Sequence, residues 1–165
     1  MGRSIFDAQP GAAEQTLALR PPRSHEAAAL TALCLRSKAA WGYDGAFMRA
    51  CRGELLVTAE VIATELVMVA DRAGEVVGLA QLSLAGEEAE LVKLFVDPLH
   101  LRSGAGRRLF DWSVEAARSA GARRIVVDSD PHAAGFYRRM GMMDDGAVPS
   151  GSVPGRLLPR LRLAL

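Results

Sequence analysis

The stretch Leu94-Phe95-Val96-Asp97-Pro98-Leu99-His100-Leu101-Arg102-Ser103-Gly104-Ala105-Gly106-Arg107-Arg108 decides the reading of this chain. An apolar run enters a short loop, and the loop opens a helix predicted over Gly104 to Ala120. The first amide donors of a helix have no partner inside it and carry the positive end of the dipole. Gly104, Ala105 and Gly106 are small enough to let a bulky anion reach those donors. Arg102, Arg107 and Arg108 add charge around the same mouth, so a pyrophosphate suits the environment. Two better-known phosphate loops do not match. The Walker pattern requires Lys where Arg107 stands, and the dinucleotide fingerprint requires a third glycine where Leu109 stands.

Working outward, Leu66 to Ala70, Val76 to Leu84 and Glu90 to Val96 read as three strands of an antiparallel meander. Their turns are Asp71-Arg72-Ala73-Gly74 and Gly86-Glu87-Glu88. Leu91 to Val96 is apolar on both faces apart from Lys93, which predicts a central strand covered on both sides. Upstream, Thr16 to Arg20 is a short strand closed by two prolines. Ser24 suits the N-cap of a helix reaching Lys38. Trp41-Gly42-Tyr43-Asp44-Gly45 breaks that helix, and Asp44 caps a second one running to about Leu55. Downstream, the Gly104 helix carries an apolar stripe of Ala105, Leu109, Trp112, Ala116 and Ala120, with Gly121 as its C-cap. Arg124 to Val127 is a strand. Asp130 as N-cap and Pro131 at the first position start a helix ending at Gly141. A strand from Met142, a loop from Val148 to Gly155 and a strand from Leu157 to Leu165 complete the order. This succession predicts an α+β (mixed α/β) domain over 16–165 with no splitting linker, preceded by a flexible leader over 1–15.

Composition narrows the function classes. The 165 residues are 50% hydrophobic and carry 20 basic against 19 acidic groups. A net charge of +1 argues against a general nucleic-acid binder. The halves differ, however. Residues 1–97 hold 9 basic and 13 acidic side chains, and residues 98–165 hold 11 and 6. Of the basic residues 18 are Arg, and only Lys38 and Lys93 are Lys. Cys34 and Cys51 form no metal or disulfide spacing, which points to a reducing, cytoplasmic compartment and to no bound metal. The apolar runs fall far short of the roughly 20 residues that span a bilayer, so no membrane partner is expected.

A second motif is Ala133-Ala134-Gly135-Phe136-Tyr137-Arg138-Arg139-Met140-Gly141-Met142. Adjacent helix residues diverge by about 100°, so Phe136 is expected to pack while Tyr137 sits at a groove edge. With the Arg102-Ser103-Gly104-Ala105-Gly106 loop ahead of it, this segment resembles the GNAT superfamily of N-acetyltransferases. One departure is Leu101, at a position that is usually Arg or Gln in that family. The resemblance implies a mostly antiparallel twisted sheet with helices on both faces and acetyl-CoA as co-substrate. Tyr137 would protonate the leaving thiolate, and Glu90 would be the base. The backbone of Leu94, Phe95 and Val96 would hold the pantetheine arm. Arg102, Ser103, Gly104, Ala105, Gly106 and Arg107 would hold the pyrophosphate, with Asp130 and Phe136 also on the cofactor. Trp41, Tyr43 and Asp44 would wall the acceptor, an amine of a small molecule or amino-acid-like compound. Residues 149–156 would close the other side, connect strands or form a homodimer contact. A non-catalytic CoA-binding sensor and a protein Lys or N-terminal acetyltransferase are the competing readings.

Overall fold

The computed structural model describes residues 16–165. The expected leader over residues 1–15 lies outside the described residues. The elements in chain order are β1 (Leu17–Arg20), α1 (Ala27–Ala39), α2 (Gly45–Cys51), α3 (Ala59–Thr64), β2 (Leu66–Arg72), β3 (Glu75–Ala85), β4 (Glu88–Val96), α4 (Ala105–Ser119), β5 (Arg124–Asp128), α5 (Ala134–Arg139), β6 (Met143–Pro149) and β7 (Leu157–Ala164). The seven strands form one sheet in the order β1-β2-β3-β4-β5-β7-β6. Every neighbouring pair is antiparallel except β4 with β5. The expected α+β fold is therefore present.

Each face of the sheet carries its own core. Leu109, Phe110 and Ala117 of α4 pack with Val77, Leu82, Ile125, Leu161 and Tyr137. Leu30, Leu33 and Cys34 of α1 and Cys51 of α2 pack with Val67, Val69 and Leu79 on the opposite face. Gly78 brings α4 close to the sheet. A Cβ there would lie 3.0 Å from Leu109 Cδ1 and from the Phe95 carbonyl oxygen. The stripe of α4 is not the expected one. Ala105, Leu109, Phe110, Ser113 and Ala117 are buried, whereas Trp112 and Ala116 lie at its flank and Ala120 is exposed. Ser113 fits an apolar face because its hydroxyl donates to the Leu109 carbonyl at 2.8 Å.

Several boundaries differ from expectation for local reasons. Ser24 does not cap α1 but begins a 3-10 turn, Ser24–Glu26, that leads into it. Helix α2 stops at Cys51 instead of about Leu55. The chain then turns, and Thr58 caps α3 by accepting from the Val61 amide, a helix absent from the sequence reading. Helix α5 begins at Ala134, not Pro131, because Asp130 caps only the turn before it. Pro159 lies inside β7, opposite Ala147, where the β6–β7 register is irregular and a missing donor is tolerated.

The start of α1 is pinned to the sheet by one arginine. Arg20 donates to Glu26 at 2.7 Å and to Asp71 at 2.9 Å. The Arg20 guanidinium pulls the Glu26 carboxyl down to about 2, against the opposing effect of burial. A carboxyl with a depressed folded-state pKa stabilises the protein above its unfolded pKa, and that contribution vanishes as pH falls through the folded value. Glu26→Gln is therefore expected to lower the melting temperature at pH 7. It should also flatten the loss of stability between pH 4.5 and about 2, as followed by thermal melts across that range.

Candidate active site

Strand β4 pairs with β3 along its whole length, ending at Val96 opposite Gly78. Its parallel pairing with β5 stops at Glu90, opposite Val126. Strand β5 continues to Asp128 on β7 instead. The sheet thus opens between β4 and β5, and Leu91 to Val96 present a backbone edge with no strand beside it. A bulge contributes to this divergence. Leu91 faces Leu82 and Lys93 faces Gln81, which leaves Val92 as an extra residue in β4. The bulge corrects the expected pattern of a strand covered evenly on both sides. Val92 is exposed, Leu94 and Val96 pack on the α4 face, and Phe95 packs on the α1–α2 face. Glu90 is exposed at the closed end of the opening.

The open end leads into the N-terminus of α4. Asp97 accepts from the Leu99 amide at 3.0 Å and fixes the turn that follows β4. Its other oxygen receives the Arg36 guanidinium of α1 at 2.6 Å. Burial would raise the Asp97 carboxyl, but Arg36 and the amide outweigh it and hold it below its ordinary value. Arg102 and Gly104 both adopt left-handed backbone, φ 61° and 85°. This geometry turns the chain so that the first intrahelical bond of α4 is Arg108 N to Gly104 O at 3.1 Å. Among the described residues, the Gly106 and Arg107 amides have no acceptor, and the Ala105 amide has only a 3.5 Å contact to Ser103 Oγ. Packing within the chain does not require glycine at 106, where a Cβ would meet Phe136 at an ordinary 3.5 Å. Arg107 is exposed beside Asp111 at 3.8 Å. Arg108, expected at the mouth, instead donates to the Leu17 carbonyl of β1. Leu101 is exposed and contributes no charge.

The two aromatics of α5 have the reverse of their expected burial. Tyr137 is 5% exposed and sits in the α4-side core, whereas Phe136 is partly buried near Gly106. The Tyr137 hydroxyl has no hydrogen-bond partner among the described residues. Among the described residues the only fully buried polar side-chain atom without one is Arg72 Nε, so the Tyr137 hydroxyl retains a small exposure. Burial pushes its pKa well above the ordinary phenol value, so at neutral pH it holds its proton even more firmly than a free phenol does.

On the α1–α2 face, the end of α1 and two loops converge on Asp130. Lys38 Nζ lies 2.9 Å from its carboxylate, the Tyr43 hydroxyl donates at 3.0 Å, and Arg156 Nη2 donates at 3.2 Å. Burial would raise the Asp130 carboxyl, but the His132 amide and Lys38 hold it below its ordinary value. Burial and Asp130 together push the Tyr43 hydroxyl up to about 12. Arg156 also stacks over Phe47, 4.7 Å from its centroid. The 149–156 loop therefore folds down over α2, where Ser152 donates to Glu54. Trp41 is 45% exposed and stacked on His132 at 5.1 Å. Asp44 is taken up by capping α2, accepting from Phe47 N. Lys38 and Arg36 are absent from the sequence reading of the site, and Arg156 enters it only as the end of the 149–156 loop. The only available signal for Lys38 was its rarity in an arginine-rich chain.

Among the described residues, no cluster of His, Cys, Asp and Glu is arranged to hold a metal ion. No described helix is long and apolar enough to cross a membrane. No curated protein matches the sequence. Solved structures do match the fold. A GCN5-related N-acetyltransferase from Rhodopseudomonas palustris superposes with a TM-score of 0.75 at 24% identity, covering 91% of this chain and 96% of that one. The PaiA N-acetyltransferase of Thermoplasma acidophilum, solved in complex with coenzyme A, gives 0.75 at 15% identity over 91% and 99%. The ribosomal-protein-S18-alanine N-acetyltransferase of Escherichia coli gives 0.66 at 17% identity over 90% and 94%. The profile of the acetyltransferase (GNAT) family matches residues 38–142, from the lysine that binds Asp130 to the end of the Tyr137 segment. With most of its length matched, and with the strand opening and the free helix N-terminus in their places, the chain belongs to the GNAT family of acetyl-CoA-dependent acetyltransferases.

Proposed function

We propose that this protein transfers the acetyl group of acetyl-CoA to the primary amine of a small, amino-acid-like acceptor by direct attack on the thioester. The observation that carries the reading is the continuous opening between β4 and β5. It runs from Glu90 at its closed end to the unpaired amides of α4 at its mouth. The free edge of Leu94, Phe95 and Val96 supplies backbone donors for the pantetheine arm and for the thioester oxygen as charge develops on it. The Gly106 and Arg107 amides, with the Arg102 and Arg107 guanidinium groups, hold the pyrophosphate. Phe136 lines that mouth beside Gly106.

Attack requires a neutral amine, and departure of the thiolate is easier with a proton. Glu90 takes the proton from the acceptor, directly or through water, and its exposure allows either route. Tyr137 donates its proton to the leaving sulfur, a role open to a phenol that is protonated at neutral pH. Asp130 serves mainly the acceptor side, where it gathers Lys38, Tyr43 and Arg156. The Arg156 loop covers that side, which favours a compact acceptor over a protein chain. Two fully buried free thiols, Cys34 and Cys51, suit a reducing cytoplasm.

Tyr137→Phe is expected to lower kcat by about 10²- to 10³-fold while leaving acetyl-CoA affinity unchanged, as read by thiol release and calorimetry. Unchanged turnover would remove Tyr137 from the mechanism, and a wild type that binds acetyl-CoA without releasing thiol would favour the non-catalytic sensor. Gly106→Ala is expected to hold or raise stability, by up to about 0.5–1 kcal/mol, yet weaken acetyl-CoA binding. Melting and titration of one sample measure both signs.

A further inference from the structure

The chain's two lysines are both buried, Lys38 at 6% and Lys93 at 7% exposure, and both serve the α1–α2 face. Every other basic position is arginine. Lysine differs from arginine in being a compact point charge with three rotatable donors. Lys38 has a partner in Asp130. Lys93 does not: its Nζ donates to one neutral group, Gln81 Oε1 at 3.0 Å. No carboxylate among the described residues lies within ion-pair distance of it.

The charges of this face are unbalanced. Lys38 and Arg156 share the single Asp130 carboxylate. The buried Cys34 thiol, Glu54 and Glu65 act on Lys93 only through space, and Glu54 is engaged by Ser152. Burial is the largest influence on Lys93 and pushes its ammonium below the ordinary range. A buried cation held by one neutral hydrogen bond is poorly compensated unless an anion joins it.

Its position says which anion. Lys93 follows Glu90 on β4, just past the bulge, in the segment where the strand has left β5. At about 3.3 Å per residue, the two side chains are rooted within about 10 Å of each other. The gap begins just past Glu90 and runs beside Lys93, and α4 covers the other face. An acceptor whose amine lies near Glu90 can therefore place a second group near Lys93.

We infer that the acceptor carries a carboxylate beside its amine, and that Lys93 is the specificity-determining residue that binds it. This rests on the acetyltransferase reading above. Asp130 and its cations close the same face and add positive potential toward that carboxylate.

The test uses matched pairs of acceptors, each an amino acid and its carboxamide, with acetyl-CoA and the full-length protein. The wild type is expected to favour the carboxylate member by about tenfold or more in kcat/KM, mainly through KM. Lys93→Met should collapse that ratio toward one, because activity on the carboxylate falls far more than on the carboxamide. Lys93→Arg should retain part of the preference. Equal losses on both members of each pair would overturn the inference, since they indicate a structural role only. If Lys93→Met fails to fold by thermal melting, the wild-type ratio and Lys93→Arg decide: a wild type indifferent to the carboxylate overturns the inference. The parent reading fails separately, by absence of acetyl-CoA binding in calorimetry. A protein that binds acetyl-CoA and acetylates both members equally keeps the parent reading and loses this one.

Discussion

The parallel pairing of β4 with β5 ends at Glu90, and the rest of the molecule is arranged around that ending. A sheet interior ordinarily satisfies the backbone on both sides of every central strand. Here β4 stays with β3 and β5 turns to β7, so donors and acceptors on one edge of β4 are left for a ligand. The extra residue Val92 bends the strand and exchanges the faces of the side chains beyond it. Leu94 and Val96 consequently support α4, while Lys93 and Phe95 turn toward α1 and α2. The outer paths of the two strands are fixed as well, with Arg160 of β7 held on Asp128 of β5 at 2.7 Å.

Helix α1 holds the two sides of the opening at a set distance. Arg36 reaches Asp97 at the end of β4, and Lys38 reaches Asp130 just beyond β5. One rigid helix thus touches both strands where they have separated. The Asp130 cluster is more buried than the Arg36 pair, and breaking such a cluster by removing one member leaves an uncompensated charge, typically at a cost of about 3–5 kcal/mol. The same cluster ties the break between α1 and α2 and the 149–156 loop to the end of β5. The α4 entrance and the Asp130 cluster therefore lie on opposite faces of one sheet.

Much of this was legible in local sequence. Gly104-Ala105-Gly106 after an apolar strand marked the helix mouth, and the turns at Gly74 and Gly86 marked the meander. Asp44 was correctly read as a cap, because a cap depends on residues three apart. Helix α3 was missed because its signal is one threonine ahead of six residues. Asp130 is legible as a helix cap and, through the family resemblance, as a cofactor contact. A local rule cannot see Lys38, Tyr43 and Arg156 arriving from 26 to 92 positions away. The burial of Tyr137 over Phe136, and the exposure of Trp41, depend on which neighbour occupies the available space. Helical angle alone does not specify that.

The amino-acid sequence by itself determined the elements other than α3, their order and the small, glycine-flanked entrance of α4, because periodicity, small residues and capping act over a few residues. It also marked Lys38 and Lys93 as unusual without saying why. Only the tertiary structure decided where β4 and β5 part, which face each side chain of β4 serves, and which cations share one carboxylate. Those outcomes depend on strand register and on packing between distant segments, and a one-residue bulge is enough to reverse them.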